Sequence, residues 1–159
     1  MRLRARIVYP AGIHSSRFAL LDQTDGVVSS AKLAGRPYLL VFLSTRCSAS
    51  CRASLARIAS ATNETRTRVV LVTTTPRIDT RNAIRVLLAK VHATTANLSY
   101  STRPARNVTR LMRANGYSSK PVRILRCHLI DKLGNLRAEF VGDFAAADLA
   151  HDAGVLARA

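Results

Sequence analysis

Residues 44–55 read STRCSASCRASL, which sets Cys47 and Cys51 four positions apart with Arg46 and Arg52 beside them. Paired thiolates serve two chemistries, attack on a disulfide and ligation of a soft ion such as Cu(I). Side chains four apart on a helix approach to about 5–6 Å, and a loop at the first residue brings the sulfurs closer. The plainer use of two such residues is packing, since a free cysteine behaves as a small apolar side chain. Which use applies depends on the elements that carry them. The run YLLVFLS, residues 38–44, is continuously apolar and bounded by Gly35-Arg36-Pro37, as suits a strand buried on both faces of a parallel sheet. After it, Cys51, Leu55 and Ile58 recur at helical spacing with Arg52 and Arg57 off that face. Cys47 is therefore expected at the end of a buried strand and Cys51 in the first turn of the next helix, at the carboxyl edge where open sheets place their sites. A helix N-terminus and two guanidinium groups there favour thiolate over thiol.

The remaining elements form a scaffold around that junction. RFALLDQTDGVVS predicts a hairpin turning at Thr24-Asp25-Gly26. VVLVT, residues 69–73, is a second buried strand and completes a βαβ unit of right-handed crossover. Pro76 and Asp79-Thr80 open a helix whose Ile84, Leu87, Leu88 and Val91 face the core. Pro104 reads as a first-turn proline, Val108, Leu111 and Met112 as the inward face of its helix, and Asn115-Gly116 as the stop. Two strands over 124–130 and 136–141 make a hairpin across DKLGN, and a last helix is expected to be capped by Asp143. The fold class is α/β, a central mixed sheet flanked by helices with an extra N-terminal β-hairpin.

The 159 residues carry a formal charge of +16, and arginine supplies most of the 25 basic side chains. Residues 65–126 hold a single acid, Asp79, so the excess is concentrated there. Such a region suits a polyanionic neighbour, RNA or an anionic membrane surface, although a solvated arginine-rich surface accounts for it too. Arg103, Arg106, Arg110 and Arg113 recur at spacings of three and four along one side of a helix and are the candidate polyanion contacts. Residues 1–16, rich in arginine and free of acid, resemble a mitochondrial presequence or its remnant and are set apart from a domain over 17–159. No apolar run reaches the length of a membrane span.

FLSTRCSASCRASL resembles the signature of the Sco/SenC family, roughly F-x-[YF]-T-x-C-P-D-x-C-P-x-x-L. FALLDQTDGVVSSAKLAGRPYLLVF is similar to the family's opening elements, TTTPRIDTRNAI to its S-x-D-P-x-R-D-T segment, and LSYSTRPARNVTRLMRANGY and LIDKLGNLRAEFVG to its later helix and closing hairpin. The resemblance spans about residues 17–145. It implies a thioredoxin-like domain that helps assemble the dinuclear copper site of cytochrome c oxidase. Family members hold copper with the two motif cysteines and a distant histidine, or act as thiol–disulfide reductants, and they usually carry an N-terminal membrane anchor. On this footing Cys47 is the more exposed attacking thiolate and Cys51 its resolving partner, or both are copper ligands. An oxidase subunit or its assembly factors are the implied partners, at most a thiol–disulfide oxidoreductase activity is implied, and the setting is mitochondrial, with the bacterial cell envelope as alternative.

The copper-site surroundings depart from the family's pattern. Ser48 and Arg52 replace the prolines that follow each cysteine, Ala49 replaces the aspartate, and Thr75 stands at the D-P aspartate. Counted back from the hairpin, the ligand histidine falls at Arg123, whose guanidinium cannot ligate copper and repels it. His128, five residues on, faces the other side of an extended strand, and Cys127 lies about 13 Å along it. Thiol–disulfide exchange needs only Cys47 and Cys51 and survives these changes. The second reading is a non-catalytic subunit that uses its basic surface in an RNA-rich assembly such as a mitochondrial ribosome.

Overall fold

The computed structural model describes residues 2–118 and 120–159. In chain order the elements are β1 (Ile7–His14), β2 (Ala19–Leu21), β3 (Val27–Ser29), α1 (Ser30–Leu33), β4 (Tyr38–Leu43), α2 (Ala49–Thr65), β5 (Arg68–Thr73), α3 (Arg81–Lys90), β6 (Leu98–Ser101), α4 (Ala105–Ala114), β7 (Arg126–Ile130), β8 (Asn135–Val141) and α5 (Ala146–Arg158). Six strands form one sheet in the order β1-β8-β7-β4-β5-β6, and β2 pairs with β3 in a separate hairpin. The pairs β4–β5 and β5–β6 are parallel, while β4–β7, β7–β8 and β1–β8 are antiparallel, so the sheet is mixed as the sequence predicts.

Every residue of β4 is buried because both faces of the sheet are covered. On one face Leu39, Val41, Leu43 and Leu71 meet Leu55 and Ile58 of α2, Ile84 and Leu88 of α3, and Leu149 and Leu156 of α5. On the other face Leu40, Phe42, Val70 and Val72 meet Phe18, Leu20 and Val28 of the hairpin and Val108, Leu111 and Met112 of α4. Burying each of those α4 side chains is worth about 1.5–3 kcal/mol, enough to hold a short helix that propensity alone would not. The α4 helix stops at Asn115 with Gly116 at φ +81, as its sequence signals.

Several local expectations shift. Residues 7–14, which the sequence sets apart from the domain, are its edge strand β1. Pro10 and Gly12 fit there because the β1–β8 register slips between Val8 and Ile13, and an edge strand tolerates a bulge. Gly12 has φ +76, and a Cβ on it would lie 2.9 Å from that of Asn135. The preceding residues are tied down too: the backbone N–H groups of Arg4 and Ala5 donate to the buried Asp152 carboxylate at 2.8 Å each. Asp143 does not cap the last helix; it pairs with Arg57 at 3.0 Å, and α5 begins at Ala146 with Asp148 in its first turn. Pro104 stands at the N-cap of α4 rather than inside its first turn. No helix among the described residues is long and apolar enough to cross a membrane.

Candidate thiol–disulfide site

Cys47 and Cys51 are joined in a disulfide, their Cα atoms 5.5 Å apart. The bridge spans the place where β4 leaves the sheet and α2 begins. Ser48 caps α2, accepting the Cys51 N–H at 3.2 Å, and its hydroxyl donates to the Arg123 carbonyl at 3.0 Å. The serine that replaces a family proline thus ties the cysteine loop to the segment before β7. Arg52 donates from Nη1 to the Cys47 carbonyl at 2.9 Å, so the arginine at the second proline position clamps the same loop. Both half-cystines are buried, Cys47 at 3 % exposure and Cys51 at 1 %, so the expected exposure of Cys47 is slight in this oxidised form. The residues around them, Arg46, Ser48, Ala49, Ser50 and Arg52, are exposed.

Behind the loop lies a polar network that the sequence did not reveal. Asp79, 2 % exposed, accepts hydrogen bonds from the hydroxyls of Thr73 at 2.6 Å, Thr75 at 2.8 Å and Thr45, and from the Thr45 N–H at 3.2 Å. The Thr75 proton goes to Asp79, so Ser44 donates to Thr75 Oγ1 at 3.2 Å. Of the Asp79-Thr80 pair expected to open α3, it is Thr80 that caps the helix, by accepting the Ala83 N–H. The carboxylate instead fastens the cysteine loop to the loop after β5. In the sequence it also stands out as the single acid in residues 65–126.

Arg123, at the expected position of a histidine ligand, reaches this neighbourhood through its backbone. His128 does not. It pairs in register with Leu40 on β4, on the face opposite Cys127, which pairs with Val41. Rather than facing solvent it is 4 % exposed, with Nε2 3.1 Å from the Tyr117 hydroxyl and its ring edge-on to Phe42. Its Nδ1 has no hydrogen-bond partner among the described residues and lies 3.6 Å from Glu139 Oε1. Burial pushes its pKa down to about 4, more than the nearby Glu139 carboxylate can restore, and Arg126 adds to the fall. Cys127 is fully buried, and burial pushes its thiol up from the ordinary range, so it is inert packing.

The four arginines proposed as one polyanion stripe separate into two groups. Arg103 pairs with Asp25, which Arg81 also approaches at 3.3 Å. Arg106, Arg110 and Arg113 line a hollow with Arg77, a residue the sequence did not single out.

As to copper, the reduced pair would offer Cu(I) two soft sulfur donors. A three-ligand site does not fit: among the described residues no group of three histidine, cysteine or acidic side chains could hold a metal.

The family model described as SCO1/SenC matches residues 9–115. No curated protein sequence matches the chain significantly. Among solved structures it is similar to yeast Sco1 with copper bound, at 13% identity and TM-score 0.75, covering 92% of this chain and 89% of that one. It is similar to BsSco, a member of the Sco family of cytochrome c oxidase assembly proteins described for its disulfide switch, at 15% identity and TM-score 0.75, covering 96% and 98%. A SCO1/SenC family lipoprotein from Bacillus anthracis matches at 17% identity and TM-score 0.74, covering 98% and 99%. The shared fold is thioredoxin-like.

Proposed function

The chain belongs to the SCO1/SenC family, and from that premise we propose that it acts in assembly of the copper site of cytochrome c oxidase by thiol–disulfide exchange through Cys47 and Cys51. The observation that carries the reading is the Cys47–Cys51 bridge at the carboxyl edge of the central strand, held by Ser48, Arg52 and Asp79, none of which is a copper ligand. A thiolate of the partner attacks the Cys47 sulfur. The Cys47–Cys51 bond breaks, and its electron pair leaves on Cys51, whose thiolate forms in the first turn of α2 where the helix N-terminus stabilises negative charge. The partner's second thiolate then attacks its own sulfur in the mixed disulfide and releases Cys47 as thiolate. The partner is oxidised and this pair reduced; run backwards, the same steps reduce a partner's disulfide. Cys47 is the sulfur assigned to the mixed disulfide because it lies in the loop ahead of α2 and is the less buried of the two, at 3 % exposure against 1 % for Cys51 in the first turn of the helix.

The partner is an oxidase subunit or another assembly factor, and the setting a mitochondrion or a bacterial cell envelope. Copper enters as cargo: the reduced pair would hold Cu(I) linearly between two sulfurs, with Arg123 where the family has its third ligand. The test is thiol counting and exchange with a model dithiol, together with anaerobic Cu(I) titration of the reduced protein. Wild type should show two thiols that open and close reversibly. If Cys47→Ser and Cys51→Ser leave oxidase assembly intact in cells, the reading fails.

A further inference from the structure

The loop after β5 and the flank of α4 enclose a groove. It consists of two adjoining hollows of about 530 and 470 Å³ that share Pro76, Arg77, Thr109 and Arg113. Arg106 and Arg110 line the first, and Ile78, 52 % exposed, lines the second. Among the described residues no acid lines either hollow. None of the four arginines has a carboxylate partner among the described residues, in contrast to Arg81 and Arg103, which Asp25 holds between them. Four cations facing one hollow repel each other, and an anionic occupant would relieve that repulsion. Guanidinium forks suit carboxylates, which they take two hydrogen bonds at a time.

The occupant's class follows from what else the groove holds and where it opens. Single-stranded nucleic acid is gripped by stacking its bases on aromatic rings, and no aromatic side chain among the described residues lines these hollows. The loop that carries Arg77 is also the loop that supports the cysteines, since Thr75 bonds Ser44 and Asp79 takes the Thr45 N–H. One loop therefore both walls the groove and holds the segment that leads into Cys47. Arg106 and Arg110 are separated by a rise of about 6 Å along α4, the rise between acidic residues at i and i+4 of a facing helix. We propose that this groove docks a carboxylate-bearing helical segment of the protein whose thiols exchange with Cys47 and Cys51. The inference rests on the exchange reading and supplies the recognition that a buried disulfide lacks.

Two probes test it: a helical peptide with glutamates at i and i+4 spacing, and its glutamine twin, each made with and without one cysteine. By fluorescence anisotropy the cysteine-free glutamate peptide should bind at least about tenfold more tightly than its twin, and less tightly as salt rises. The double substitution Arg110→Glu with Arg113→Glu should remove that preference, and Arg77→Glu on the opposite wall should weaken it. With cysteine present, the glutamate peptide should form its mixed disulfide with Cys47 faster than the glutamine peptide. Equal binding of the two peptides, or a preference untouched by the substitutions, overturns the proposal. So does displacement of the glutamate peptide by oligouridylate of equal charge or by anionic phospholipid vesicles, which would assign the groove to nucleic acid or membrane. Exchange at equal rates with both peptides would sink docking and leave the exchange chemistry standing. Glutamate-selective binding with no exchange by either peptide would strike the exchange reading and leave the groove acid-selective.

Discussion

Cys47 and Cys51 sit where β4 leaves the sheet, whereas Cys127 and His128 lie in mid-strand on β7, one on each face. All four are residue types that can bind metals or move protons and electrons. At the rim a bridged pair is held by loop residues whose neighbours are exposed, and the N-terminal turn of α2 lies beside it. In mid-strand the same chemistry is sealed: the Cys127 thiol is held protonated by burial, and burial beside Tyr117 and Phe42 keeps the His128 ring neutral against the pull of Glu139. On the proposed exchange reading, address rather than residue type separates the bridged pair from the packed one. A strand end frees side chains from two covered faces, which a strand centre cannot do.

The largest effect expected from that contrast is on exchange itself. Cys47→Ser or Cys51→Ser should abolish reversible closure of the bridge, measured by thiol counting, whereas Cys127→Ala should leave the exchange rate within about twofold, because a sulfur off the path contributes no step. An equal loss in Cys127→Ala would mean that the interior cysteine takes part in exchange.

A pH titration sharpens the other half of the comparison. His128 titrates near 4 in the folded chain against 6.5 when unfolded, so between those values the unfolded chain binds the extra proton. Stability is therefore full above about pH 7 and falls as the pH drops through 6.5 towards 4. Urea unfolding at a series of pH values should show that slope, and His128→Gln should flatten the part of it that lies between pH 4 and 6.5. A slope unchanged in the variant would place the titration elsewhere.

Asp79 probes the rim. Asp79→Asn replaces a charged acceptor of four hydrogen bonds with an amide, one end of which can only donate. A loss of about 2 kcal/mol in unfolding free energy is expected. Because the bonds run to Thr45, two residues before Cys47, the variant's disulfide should also be reduced faster by a small neutral thiol. Destabilisation without faster reduction would separate the network from the site.

What the sequence disclosed follows the same division between interior and edge. The central strands β4, β5, β7 and β8 are long apolar or alternating runs, and each was legible. Both edge strands were not. β6 is only Leu98–Ser101, two of its residues serine, and β1 carries Pro10 and Gly12, which signal a break in any strand except a bulged one at an edge. The cysteine pair and its place at a strand–helix junction could be read because the apolar run and the helical spacing abut there. The Asp79 network could not, since it joins residues up to 34 positions apart through side-chain hydroxyls that carry no periodic signal. The arginine groove was half legible. Spacing found the α4 row, but only tertiary structure brings in Arg77 and diverts Arg103 to Asp25.

The smallest expected effect concerns the interior cysteine as packing. Cys127 is fully buried between Val41 and Phe140 in the register of β4, β7 and β8. Cys127→Ala removes one sulfur from a close-packed sheet face and should cost about 1 kcal/mol, the scale of a single deleted core group. Cys127→Ser keeps the volume but buries a hydroxyl, and unless that hydroxyl finds an acceptor it should cost more than alanine does. Urea denaturation of the two variants decides the matter. Serine less destabilising than alanine would mean that a hydrogen-bond acceptor lies open at this position and that the thiol is more than filler, which would weaken the contrast between the sealed strand centre and the reactive rim.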